Sequence, residues 1–241
     1  LVINNNYNPT DVTATYPRST VQETYDAIQT DLAYAISNMT TGELEDTFTP
    51  IVKKGKRMNL LSANMLMSRL ALYRKDWPTS IEYAQKAQDL INTYAADIQE
   101  TARANPSPNG DDQNDSSIFQ LVFDTSSSLG INSLVSYWGE AGQYRQFFAT
   151  KEFYDIIPSS DGRKNGTTMY KFLDYLYDTP RPYIAKKVGN SPLMDIILIR
   201  KAEIDFNIIE STYYQNPIQA RTLLNSWVNA NRDSSYNSTS T

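Results

Sequence analysis

The sequence has no cysteine and no histidine among its 241 residues. Their absence removes disulfides, thiolate nucleophiles, His-based triads and most transition-metal sites together. It also lacks any apolar run near the roughly 20 residues that a spanning helix needs, Ile196 to Ile199 being one of the few short ones. Positive charge is in deficit, with 22 Lys+Arg against 27 Asp+Glu for a net charge of −5. That balance disfavours capture of phosphate backbones or anionic lipid, so nucleic acid is not an expected partner. The chain opens on Leu1 with no charged-then-apolar targeting pattern, as expected if a targeting segment has been removed or was never included.

What is present is enough to build a core, since 40% of the residues are hydrophobic. Aromatic character is carried mostly by 17 Tyr, against 8 Phe and 3 Trp. Tyrosine joins a flat apolar face to a hydroxyl, which suits a wet ligand groove as well as a core edge.

Helical signals dominate both ends. Thr20-Val21-Gln22-Glu23 has the capping-box spacing, and Val21, Tyr25, Ile28, Leu32, Ala35 and Met39 recur at 4, 3, 4, 3 and 4 behind it, which predicts a helix over 21–38. A second apolar period runs Leu60, Ala63, Met67, Leu70. Leu61, Met65 and Leu66 widen it, as expected of a helix sandwiched between neighbours. Asp76-Trp77-Pro78 breaks that helix, and Thr79-Ser80-Ile81-Glu82 repeats the capping spacing before a third one. In the third helix the small Ala84 and Ala87 allow close backbone approach, as in helix-pair solenoids. Near the C-terminus Ile196, Ile199, Ala202, Phe206, Ile209 and Tyr213 share a helical face after Pro192. Asn216-Pro217-Ile218-Gln219 then signals another helix start, and Ser234–Thr241 reads as a polar tail that cannot fold alone.

The middle is different. Residues 105–117 are rich in turn formers, Ile118–Phe123 and Tyr183–Val188 favour strands, and a small helix is expected near Thr150. The fold class expected is mostly α, with tetratricopeptide-like helix pairs and an irregular middle lobe containing a few short strands. The organisation read from the chain is one domain with a helical part at 20–104, an irregular lobe at 105–191 and a C-terminal helix pair at 192–232.

The opening R-S/T-x-x-E-x-Y-x-x-I-x-x-D-L-x-x-A at Arg18–Ala33, the run Ala63–Trp77, Asp161-Gly162-Arg163 and Leu198-Ile199-Arg200-Lys201-Ala202-Glu203 together resemble the SusD/RagB family of outer-membrane nutrient-binding lipoproteins. The resemblance covers about Arg18 to Arg232. The chain departs from the family where Ile209-Glu210-Ser211 replaces an alanine-rich continuation, and it has neither the family's longer ends nor its lipid-bearing Cys. The resemblance implies a non-catalytic surface protein of the outer membrane, lipid-anchored through an N-terminal segment missing from this chain. It implies capture of an oligosaccharide, or in some branches a peptide, for a SusC-like TonB-dependent transporter. A second reading keeps only the scaffold, a helical repeat gripping a peptide or partner protein.

A sugar site without catalysis needs rings to cover C–H faces and planar amide or guanidinium groups to pair with hydroxyls. The Gly-punctuated stretch Asn132–Arg145 holds these types, which nominates Tyr137, Trp138 and Tyr144 as stacking surfaces and Asn132 and Arg145 as hydrogen-bonding partners. Trp138 with Phe147 also suits anchoring the loop to the helices. Trp77, in its helix turn, reads as the seal of a helix pair. The acidic loop Asp111–Asp115 fails the EF-hand pattern, with Ser116 and Val122 at its sixth and twelfth positions, so no metal is assigned. Glu23, Asp26, Asp31, Glu82 and Glu203 lie off the apolar stripes or in caps, where solvated charges sit, and no cofactor or catalytic group is expected.

Overall fold

The computed structural model describes residues 18–41, 57–96, 98, 116–122, 126, 130–132, 136–137, 151–161, 170–172, 183–185 and 196–239. Among them the elements run α1 (Val21–Asn38), α2 (Leu60–Tyr73), α3 (Trp77–Tyr94), β1 (Ser117–Leu121), α4 (Lys151–Ile156), β2 (Tyr170–Phe172), β3 (Tyr183–Ala185), β4 (Ile196–Arg200), α5 (Lys201–Gln215) and α6 (Pro217–Asn231). The described part is mostly helical, as the periodicities predict.

The helices stack in a chain of neighbours: α1 on α2, α2 on α3, α3 on α5, and α5 on α6. Helix α2 is the sandwiched member. Leu61 and Met65 are fully buried, each contributing about 1.5–3 kcal/mol of apolar transfer free energy. Ala84 and Ala87 on α3 are equally buried, so the missing side-chain volume brings the α2 and α3 backbones together. Ile91, Ile118, Ile199 and Ile204 complete one core that reaches from α3 through the β1–β4 ribbon to α5.

Helix α1 is held from its edge. Its capping box forms as the sequence predicts, with the Glu23 N–H donating to Thr20 Oγ1 at 3.1 Å and the Thr20 N–H donating to Glu23 Oε2 at 2.8 Å. Its apolar stripe is only partly used, because Val21 and Ile28 stay exposed while Tyr25, Leu32, Ala35 and Met39 are half-buried. Arg74, just past α2, supplies the cross-tie by donating to Asp26 Oδ1 and Gln29 Oε1, both at 2.8 Å.

Three sequence expectations change. Helix α3 begins at Trp77 with Asp76 as its cap, and Thr79 is the residue whose N–H donates to Asp76 Oδ1 at 3.3 Å. A proline in the first helical turn removes an N–H that has no intrahelical acceptor anyway, so Pro78 is accommodated there. Second, residues 196–200 form a strand that pairs antiparallel with β1, and the helix starts only at Lys201. The i, i+3 spacing of Ile196 and Ile199 fits a helix, but the β-branched run finds a partner strand whose backbone groups it satisfies. The candidate strand near Tyr183 does form and pairs with Tyr170–Phe172. Third, the polar tail docks along α6: the Ser238 N–H donates to Asn225 Oδ1 at 3.0 Å, and Arg221 Nη1 donates to the Thr239 carbonyl at 2.9 Å.

Candidate ligand-binding surface

The five residues nominated for ligand contact fall in the middle segment, and the structure describes two of them. Gly130–Asn132 form a 3₁₀ turn, opened by Gly130 in the left-handed region at φ 51°, a conformation glycine adopts without steric cost. Ser136 Oγ donates to the Gly130 carbonyl at 3.4 Å, and Asn132 is exposed. Tyr137 follows the buried Ser136 and is half-buried, so its ring is neither packed into the core nor free of it. Trp138, Tyr144 and Arg145 lie outside the described residues, as does the acidic loop at 111–115.

Of the helix carboxylates expected as solvated charges, Glu23, Asp26, Asp31 and Glu82 are exposed, and Glu203 is the exception. Glu203, expected as a solvated charge, accepts from Arg69 Nε at 2.5 Å and Nη2 at 2.6 Å, a two-point pairing between α2 and the first turn of α5. Arg69 Nη2 also reaches the Leu198 carbonyl at 3.3 Å, which ties β4 to α2. Glu203 lies three residues after Arg200, the last residue of β4, where the strand-to-helix turn delivers it to α2. Glu82 pairs with Lys86 at 2.6 Å within α3. Among the described residues no group of three or more acidic side chains converges as a metal site.

Two aromatic constellations escaped the sequence reading because their members are far apart in the chain. Trp77 stacks on Tyr214 with centroids 4.1 Å apart and planes 8° from parallel. This fulfils the sealing role expected of Trp77, here between α3 and the end of α5. At the other end of α5, Trp227 Nε1 donates to Asp205 Oδ2 at 2.9 Å, its ring lies 4.5 Å from that of Phe206, and Arg232 sits 4.8 Å over it. A groove of about 490 Å³ runs between α5 and α6 beside that tryptophan, lined by the apolar Ile208, Ile209, Leu223 and Ala230 and by the polar Lys201 and Asn231. The Asp205 carboxylate also meets Lys201 Nζ at 3.5 Å, so the charges there neutralise each other.

No family model and no curated protein sequence matches this chain. Solved structures do. A SusD superfamily protein from Bacteroides vulgatus ATCC 8482 superposes with a TM-score of 0.72 at 20% identity over 89% of this chain and 48% of that one. A SusD-like carbohydrate binding protein from the same organism gives 0.70 at 20% identity over 93% and 46%. A SusD superfamily protein from Bacteroides thetaiotaomicron VPI-5482 gives 0.70 at 20% identity over 94% and 50%. The chain is thus SusD-like in fold over nearly its whole length, as the sequence resemblance implies. It spans about half the length of these structures.

Proposed function

We propose that this chain is the saccharide-capturing part of a non-catalytic surface protein of the outer membrane, which hands oligosaccharides to a SusC-like TonB-dependent transporter. The observation that carries the reading is the superposition on a SusD-like carbohydrate binding protein over 93% of the chain. The residue chemistry supports it. No His or Cys is available for nucleophilic or general-base work, and the loop after Gly130 concentrates rings and amides of the kind that bind neutral sugars. In this reading Tyr137, Trp138 and Tyr144 cover sugar faces, while Asn132 and Arg145 pair with hydroxyls. The stacked helices serve as the frame that holds the loop. A glycan array probed with purified chain at millimolar ligand tests the proposal: binding to one saccharide class, without product release, is the expected result. An array with no hit, alongside recovery of a peptide ligand, would transfer the site to the helical-repeat reading.

A further inference from the structure

The end of the bundle where α2 turns into α3 and α5 turns into α6 carries rings that the fold does not consume. Tyr214 stacks face to face on Trp77, yet 57% of it stays in water. Tyr213 meets Tyr214 at 78° with centroids 5.5 Å apart and is itself 49% exposed, so the two tyrosines form a corner of two nearly perpendicular planes. Tyr73, at the end of α2, and Ile218, in the first turn of α6, are both two-thirds exposed. The turn between α2 and α3 adds Lys75 and Asp76, both exposed and opposite in charge, directly before Trp77.

This is not the chemistry of a helix-docking face. Of the large hydrophobic side chains exposed at this end among the described residues, three are tyrosines and only Ile218 is aliphatic. The tyrosines bring hydroxyl groups that must remain hydrogen-bonded when the rings are covered. A flat ring backed by a second ring resists displacement, and a neighbouring ring at right angles gives a bent, rigid corner. Neutral pyranoses fit it: their C–H faces cover aromatic planes, and their equatorial hydroxyls keep the tyrosine hydroxyls and the Lys75/Asp76 rim solvated or paired.

We infer that Trp77, Tyr213 and Tyr214 form a second saccharide-contact surface at the end of the helix bundle, built from other residues than the loop after Gly130. The inference rests on the saccharide reading above and adds to it a second point of attachment. Two separated contacts on one chain raise the apparent affinity for a polymer above that for a short oligomer.

Affinity electrophoresis separates the two ideas. Wild-type chain, Tyr213→Ala, Tyr214→Ala, Tyr214→Phe and Trp138→Ala are run through native gels containing a starch, a xylan, a mannan or a β-glucan, with thermal melts as a folding control. Expected is retardation of the wild type in at least one gel. Tyr213→Ala and Tyr214→Ala should bind that polymer about two- to tenfold more weakly, the loss of one ring contact, while Tyr214→Phe, which keeps the ring, stays close to wild type. Tyr213→Ala keeps both rings of the Trp77–Tyr214 stack and decides the matter even if Tyr214→Ala unfolds. Retardation of the tyrosine variants equal to wild type, with loss on Trp138→Ala, overturns this surface and leaves the loop site standing. No retardation of the wild type in any gel removes the parent reading and this one with it.

Discussion

Asn207 of α5 donates from Nδ2 to Ser68 Oγ of α2 at 3.0 Å, and Ser68 Oγ in turn donates to the Ser80 carbonyl of α3 at 2.9 Å. All three residues are buried. One hydroxyl therefore joins three helices at the point where α2 is sandwiched, and it fixes their depth relative to one another in a way that apolar contacts, being non-directional, do not. Replacing Asn207 by Ala leaves Ser68 with an unfilled acceptor and opens a polar gap. The expected loss is about 1–3 kcal/mol, read as a lower midpoint in urea unfolding. An unchanged midpoint would mean that the network is incidental.

The Arg69–Glu203 pair makes the same connection between α2 and α5 with charge. Side-chain exposures of 31% and 24% place it between a surface pair and a buried one. Its two-point geometry favours a net coupling of about 1–2 kcal/mol in a double-mutant cycle of Arg69→Met and Glu203→Gln. A coupling near zero, or one that disappears in modest salt, would reduce the pair to a solvated surface contact.

Lys75 holds φ at 61°, the left-handed position that ends α2, with its N–H donating to the Leu72 carbonyl at 3.0 Å and the Asp76 N–H donating to the Ala71 carbonyl at 2.9 Å. That pair of bonds is the Schellman arrangement, whose pivotal position usually belongs to glycine. A side chain there costs about 1 kcal/mol, so Lys75→Gly should stabilise the chain by up to that amount in thermal unfolding. A destabilised variant would show that the lysine side chain makes compensating contacts.

Asp233, just after α6, accepts from Ser235 Oγ and Ser160 Oγ at 2.7 Å each and from the Ser235 N–H at 2.9 Å. These bonds, the Ser235 hydroxyl foremost, hold its carboxyl below the ordinary aspartate value of 3.8. A group ionised more readily in the fold than in the unfolded chain stabilises the fold above the unfolded value. That contribution fades as pH falls through the folded one. The melting temperature should therefore drop on acidification below about pH 4, and Asp233→Asn should flatten part of that slope. Part remains because Glu23 and Asp26 are shifted the same way by Thr20 and by Gln22 and Arg74. Identical acid slopes for wild type and variant would contradict the assignment.

Local signals carried the helical frame into view, and long-range pairings stayed hidden. The Thr20 capping box and the small Ala84 and Ala87 are statements about neighbouring residues, and each reappears in the structure at its place. Asp76 caps in place of Thr79 because the helix begins a turn earlier, at Trp77-Pro78, where the Asp76 carboxylate accepts from the Thr79 N–H. The Ile196–Arg200 strand was missed since its helical spacing is real, and only the partner at Ser117–Leu121, distant in sequence, settles the matter. The Trp77–Tyr214 stack and the Arg69–Glu203 pair are of the same kind: no spacing rule links residues that the fold alone brings together. Of the candidate ligand residues, Asn132 is exposed and Tyr137 half-buried, and the other three lie outside the described residues.

The account turns on a sugar held by rings of the middle segment, and calorimetric titration of the purified chain with the saccharide class identified on the array, comparing wild type with Trp138→Ala, tests that most directly. The account predicts saturable binding by wild type and at least about a tenfold weaker interaction in a variant that melts at an unchanged temperature, the loss expected when a stacking face and its buried area go together. Equal affinity in the two proteins would contradict it.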